Sequence, residues 1–371
     1  MTEITTQQTL AWISNQGAPP VLQQATAGRW RLQDCPPAEL SGEAFETMCV
    51  AVVDAACEAR ETILAALQRS DVTAVVLGDG PAASASLAVS APADVEASEL
   101  AGMLRAAEAM GASVREARHR AVEAVRSADN LDEEMKLASK LQQDFLPRRL
   151  PTVGDIRFAV LYRPASWVSG DIYDVTRLDE THVGFYVADA VGHGMPAALL
   201  TMFIKEAMQT KRISGHSYEL IPPAEALAAL NADLCRQRLS MCEFCTALYG
   251  IMDCTTGEFT MSRAGHPAPI HINPQGCRHA LNLAGPLLGV LDDAEYDSQT
   301  FNLAPGERLV LYSDGLEDAL CGKGATDLSP MLELFAARQA QPREKLIMQI
   351  SERLDELNCE DDVTLLLVER E

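Results

Sequence analysis

The sequence has 371 residues, 47% of them hydrophobic, and a formal net charge of −23. That length suits two domains and a connector, with enough apolar content for a sizeable core. The acidity, without any Lys/Arg cluster, argues against a nucleic-acid surface and against an anionic membrane as partner.

No apolar run reaches the ~18 residues of a membrane span, and Met1-Thr2-Glu3-Ile4-Thr5 opens polar and acidic, unlike a signal peptide. A cytoplasmic location is expected, with the 10 cysteines reduced. Residues 1–28 read as a polar tail broken at Gly17-Ala18-Pro19-Pro20. Residues 29–97 read as a small α/β module, regulatory or sensory. A strand starts at Trp30-Arg31-Leu32, a helix capped by Ser41 runs to about Arg69, and residues 72–77 and 85–89 are short buried strands.

Residues 98–147 carry a heptad seam: Leu100, Met103, Ala107, Met110, Val114, Ala117, Ala121, Ala124, Ala128, Leu131, Met135, Ala138, Gln142 and Phe145. Thirteen of these fourteen are apolar, and Gln142 is the exception. The sustained period favours a coiled-coil linker, and hence a homodimer, over one long helix packed on its own chain. Six of the thirteen are Ala, which bury little area, so the coil is marginal and suits a signal transmitter.

Residues 148–371 form the second domain. Strands are expected at 158–162, 172–177, 183–188, 244–252, 259–263, 308–313 and 363–369, and helices at 195–211, 222–238, 331–338 and 343–357. Thr255-Thr256-Gly257 marks a hairpin. Many hairpin-linked strands with helices inserted in pairs imply an α+β fold with antiparallel sheets. Cys242 and Cys245 form a single C-x-x-C. It reads either as half a zinc site or, preferably, as buried thiols running into the strand at 244–249.

Acidic residues recur at strand ends, usually beside small ones: Ser169-Gly170-Asp171, Ala188-Asp189-Ala190, Ser313-Asp314-Gly315 and Glu360-Asp361-Asp362. One such Asp is ordinarily a turn former or helix cap. Four of similar form suggest an oxygen-rich pocket for Mg²⁺ or Mn²⁺. Gly192-His193-Gly194-Met195-Pro196 leads into a helix, and its backbone N–H groups suit an anion. His193 reads equally as a general acid for a leaving alkoxide or as a hydrogen-bonded loop residue.

The segments Tyr162-Arg163-Pro164-Ala165, Val168-Ser169-Gly170-Asp171-Ile172-Tyr173-Asp174, Ala188-Asp189-Ala190-Val191-Gly192-His193-Gly194-Met195-Pro196-Ala197-Ala198, Ala264-Gly265-His266-Pro267, Gly285-Pro286-Leu287-Leu288-Gly289, Leu311-Tyr312-Ser313-Asp314-Gly315-Leu316-Glu317 and Asp361-Asp362-Val363-Thr364-Leu365 occur in this order. Together they resemble the metal-dependent protein phosphatases of the protein phosphatase 2C superfamily, most closely the bacterial SpoIIE/RsbU branch. Leu141-Gln142-Gln143-Asp144-Phe145-Leu146-Pro147 resembles that branch's linker.

The resemblance implies an α-β-β-α sandwich with two antiparallel sheets and two divalent cations at one edge. It implies a protein-serine/threonine phosphatase whose substrate is an anti-anti-sigma (STAS-type) phosphoprotein. Asp189 and the Ala190 carbonyl, Asp171, Asp314 and the Asp361-Asp362 pair would hold the cations. Asp361 is the first choice of that pair, with Asp362 instead orienting the attacking water. Asp174 supports the loop, Cys321 is structural, and Arg163 is unassigned. Ser169, Ala190 and Ala268 depart from the family pattern, yet no carboxylate is lost. A phosphoprotein-binding scaffold and a small-molecule phosphohydrolase are the alternatives.

Overall fold

A computed structural model of the protein describes residues 8–40, 45, 48–79, 86–215, 217–238, 244–276, 278–357 and 359–371. The chain divides into two compact units, one ending at Asn130 and one spanning Leu131–Glu371.

The first unit holds β1 (Gln8–Ile13), α1 (Pro20–Thr26), β2 (Trp30–Cys35), β3 (Met48–Asp54), α2 (Arg60–Arg69), β4 (Thr73–Leu77), β5 (Ala88–Ala91) and the start of α3 (Ala97–Phe145). Its five strands are all parallel, in the doubly wound order 2-1-3-4-5. Leu10, Trp12, Val50 and Val52 face α1 and α3, and Ala11, Ile13, Ala51 and Val53 face α2. Burial on both faces makes such strands continuous apolar runs.

Two expectations are corrected here. Residues 8–28 are not a tail: they supply an inner strand, whose last four residues are buried, and a helix. The helix expected up to Arg69 begins only at Arg60, because residues 48–54 form β3. A short apolar run does not by itself distinguish strand from helix. Ser41 and the start of the strand expected at 85–89 lie outside the described residues.

Helix α3 is 49 residues long. Leu100, Leu104 and Ala107 are buried in the first unit, whereas every residue from 115 to 131 is exposed in the single chain. The seam positions Ala121, Ala124, Ala128 and Leu131 are among them. No helix among the described residues is long and apolar enough to cross a membrane.

The second unit is α+β. One antiparallel sheet has the order β15-β12-β11-β8-β7, from β7 (Asp171–Arg177), β8 (His182–Ala190), β11 (Cys245–Asp253), β12 (Glu258–Ala264) and β15 (Gln299–Asn302). The other has the order β14-β13-β16-β17-β6, from β6 (Ile156–Arg163), β13 (Ile270–Ile272), β14 (Arg278–Ala280), β16 (Arg308–Tyr312) and β17 (Val363–Arg370). Phe158, Val183, Phe185, Leu309, Leu311 and Leu366 pack between the sheets. The outer face of the first sheet packs on α4 (Met195–Ala207) and α5 (Pro223–Gln237) through Leu200, Ile204, Leu227 and Leu230. The outer face of the second packs on α6 (Asp314–Cys321), α7 (Ser329–Ala337) and α8 (Arg343–Asp355) through Leu316, Phe335 and Ile350. The layers are therefore helix, sheet, sheet, helix.

Helix α4 stops at Ala207, short of the expected 211, where the hairpin β9 (Lys211–Ser214) and β10 (Ser217–Leu220) begins. Cys245 is fully buried at the start of β11; Cys242 lies outside the described residues.

Candidate active site

Side chains alternate faces along a strand, so a strand's inward apolar row continues into whatever stands at its end. On β8, Val183, Phe185 and Val187 point between the sheets, and the next in that row is Asp189. On β7 the row of Val175 and Tyr173 ends at Asp171. Register sets Asp171 directly opposite Asp189, with Thr246 of β11 on Asp189's other side. In the second sheet, the rows of Leu309 and Leu311 and of Val368 and Leu366 lead to Ser313 and Thr364. One rim of the inter-sheet core is thus polar and acidic.

Asp171 is 1% exposed and ties the sheets together there. Its Oδ2 accepts hydrogen bonds from Ser313 Oγ and Thr364 Oγ1, each at 2.6 Å. Its backbone N–H donates to Ser169 Oγ at 3.0 Å. Asp314 follows β16 as the first residue of α6, where a carboxylate suits the helix dipole, and it is exposed. Asp361 is also exposed, and its Oδ1 accepts the Asp362 N–H at 2.8 Å.

Asp362 is different. It is buried, and both its oxygens are taken: Oδ1 by the Ala165 N–H at 2.7 Å and Oδ2 by the Gly170 N–H at 2.6 Å. It anchors the loop that precedes Asp171. Ala190 is fully buried, and its N–H donates to the Gly170 carbonyl at 2.9 Å. Two glycines allow the close packing: a Cβ on Gly170 would lie 3.0 Å from the Ala190 carbonyl oxygen, and one on Gly315 would lie 2.1 Å from that of Asp362.

The carboxylates act on one another. Burial, then the charge of Asp189, holds the Asp171 carboxyl well above the usual range. Asp189 is pushed up to about 8, first by burial and then by Asp314, Asp361 and Asp362. Asp314, exposed at its outer edge, is raised by partial desolvation against its neighbours and then by Asp361 and Asp318. Crowded carboxylates favour a cation that restores their charged forms. An all-oxygen donor set fits a hard divalent ion. Among the described residues, no three His, Cys or acidic side chains converge as placed on one ion position.

His193 is exposed on the turn between β8 and α4, flanked by Gly192 at φ 91° and Gly194 at φ 75°. Among the described residues no hydrogen bond joins it to the carboxylates. Asp174 is paired with Lys205 of α4 at 2.9 Å, and Arg163 with Asp355 at 2.5 Å. Cys321 is half-buried at the end of α6. Sequence reasoning missed Ser313 and Thr364 as partners of Asp171. It also missed the task of Gln142, buried at the end of α3. Its Nε2 donates to the Ser169 carbonyl at 2.7 Å and to Thr201 Oγ1 at 3.0 Å, and its Oε1 accepts the Ser169 N–H at 2.9 Å. The one polar residue in an apolar seam was the available signal.

Residues 179–371, just over half the chain, match the family described as Stage II sporulation protein E (SpoIIE). The phosphoserine phosphatase RsbP of Bacillus subtilis is 27% identical over 250 residues, which cover 65% of this chain and 58% of RsbP. The phosphoserine phosphatase RsbU of the same organism is 28% identical over 241 residues, 64% of this chain and 70% of RsbU. The chain thus matches little more than half the length of one relative and about two thirds of the other. The SiaA-PP2C domain of Pseudomonas aeruginosa superposes with a TM-score of 0.57 at 22% identity, covering 66% of this chain and 98% of that domain, a likeness of fold. Asp189, Asp314 and Asp361 fall inside the matched segment, the two-sheet sandwich is shared with a PP2C domain, and the chain belongs to the SpoIIE family.

Proposed function

We propose that the second unit is a metal-dependent protein-serine/threonine phosphatase. The observation that carries this reading is the cross-strand pair Asp171–Asp189, with Asp314 and Asp361 acting on the same rim. Asp189, Asp171, Asp314, Asp361 and the Ala190 carbonyl would hold two divalent cations, Mg²⁺ or Mn²⁺. Asp362 is left out of that set, because backbone N–H groups occupy both of its oxygens.

Bound at such a rim, divalent cations offset the charge of a phosphoryl group and activate water at neutral pH. The chain's own residues fix the geometry. Ser313 and Thr364 orient Asp171 by charge-assisted hydrogen bonds. Asp362 holds the 165–170 loop against β17, and the Gly192–Gly194 turn offers backbone N–H groups at the start of α4. His193 remains the candidate proton donor to the leaving seryl oxygen, supported by its exposed place on that turn.

The substrate is a phosphoserine or phosphothreonine on a partner-switching protein of the STAS type. This rests on the family and on relatives named as phosphoserine phosphatases. The first unit controls the second through α3, a single helix that contributes to the core of one and to the Ser169 clamp of the other. The exposed seam on α3 is the homodimer contact.

Release of phosphate from an aryl phosphate with added Mn²⁺ tests the chemistry. Pull-down with Asp314→Asn as a substrate trap, followed by phosphosite mapping, tests the substrate. Phosphoprotein captured without any turnover by the native chain would indicate a scaffold instead.

A further inference from the structure

His266 lies where the chain leaves β12 in the first sheet and crosses toward β13 in the second. It is 1% exposed. Burial on this scale keeps the imidazole neutral, with its pKa lowered to about 3. A neutral ring offers one donor and one acceptor nitrogen, and a buried ring with an unmet nitrogen is costly.

Its Nδ1 lies 2.7 Å from Thr246 Oγ1. Thr246 is the residue directly opposite Asp189, so its side chain shares the inter-sheet face with that carboxylate. The other nitrogen, Nε2, is buried and makes no hydrogen bond, and the backbone of Tyr312 lies near the ring. Tyr312 ends β16, two residues before Asp314. One ring therefore stands between the strand beside Asp189 and the strand that delivers Asp314.

The surroundings hold the ring there. Arg263 donates to the His266 carbonyl at 2.7 Å. Gly265, at φ 63°, donates its N–H to the Gly285 carbonyl at 3.0 Å, and a Cβ on Gly265 would lie 2.3 Å from Leu287 Cδ2. The Ala264-Gly265-His266-Pro267 segment is thus wedged into a slot that fixes His266, a degree of construction that a plain crossover does not require.

We infer that His266 is a positioning residue: hydrogen-bonded to Thr246 beside Asp189 and packed near the Tyr312 backbone that leads to Asp314, it helps to set the separation of those two carboxylates and so tunes cation affinity. The inference rests on the proposed metal-dependent reading of the same rim. Groups hydrogen-bonded directly to metal ligands change metal affinity about 10–100-fold when removed, and a residue one contact further out acts in the same direction with a smaller effect.

The test is Mn²⁺ titration by calorimetry on the full chain, with thermal unfolding in EDTA recorded for every variant. Thr246→Val keeps the shape and removes the hydroxyl; His266→Gln and His266→Asn each retain one hydrogen-bonding arm. Thr246→Val is expected to weaken Mn²⁺ binding by up to about 10-fold, with the metal-free melting temperature nearly unchanged. At least one of the two amide variants is expected to bind more tightly than His266→Phe. Lower melting temperatures with unchanged Mn²⁺ affinity across all variants would reduce His266 to a core residue. Absence of Mn²⁺ binding by the native chain would overturn the metal reading itself, and the inference with it.

Discussion

Gln142 and Ser169 exchange two hydrogen bonds, side-chain amide to backbone N–H and C=O, at 2.9 and 2.7 Å, and both residues are buried. Ser169 lies two residues before Asp171. The end of α3 therefore holds the backbone that leads into Asp171, a carboxylate of the proposed metal site.

Removing that clamp leaves the Ser169 groups unpaired away from water. Gln142→Ala is expected to destabilise the chain by about 1–3 kcal/mol. Gln143→Ala, at an exposed neighbour, should stay within about 0.5 kcal/mol of the native value. Urea unfolding followed by fluorescence measures both, and equal stability of the two variants would deny the clamp its weight.

Gly315 sits where a Cβ would meet the Asp362 carbonyl oxygen at 2.1 Å, a backbone atom that cannot rotate away. Gly315→Ala should push the 361–362 loop from α6. The expected cost is about 1–3 kcal/mol, with Mn²⁺-dependent turnover falling too. Calorimetric unfolding and phosphate release check the two effects separately.

Proton linkage gives a pH signature. Without cations, Asp171 and Asp189 keep their protons to higher pH in the folded chain than in the unfolded one. Their contribution to stability is complete below the ordinary carboxylate pKa of about 3.9 and is lost as pH rises through the folded value, about 8 for Asp189. In EDTA the melting temperature should therefore fall from about pH 5 to about pH 8. Mn²⁺ bound at the proposed site would displace those protons, so its affinity should rise over the same interval. Asp189→Asn should flatten both trends, and a native chain as flat as this variant would contradict the electrostatic picture.

The exposed seam of α3 makes an assembly prediction. The full chain should elute as a dimer in light-scattering chromatography, and Ala128→Glu combined with Leu131→Glu should give monomer. A native chain that is monomeric at all concentrations would leave α3 as a lone helix.

The second unit was largely legible because its apolar strand runs are punctuated by hairpin turns, and because acidic residues close those runs at strand ends. Asp171, Asp189 and Asp314 could each be singled out from their small neighbours, and Asp361 from its place in an acidic run before a strand. Their partners could not. Thr364 reaches Asp171 across 193 positions of chain, and only the register of two sheets brings them together. The same limit hid the contacts of Asp362, whose oxygens accept the distant Ala165 and Gly170 N–H groups while Asp361 beside it is exposed. The first unit was harder to read, because β1 and β3 are short apolar runs buried on both faces.

The most direct measurement is Mn²⁺-dependent phosphate release from a phosphoserine peptide by the native chain, Asp189→Asn and Asp314→Asn, with circular dichroism confirming the fold of each. The native chain should turn over, and each variant should lose at least about 100-fold, about 2.7 kcal/mol of transition-state stabilisation. Near-native turnover in both variants would show that these carboxylates do not carry the reaction.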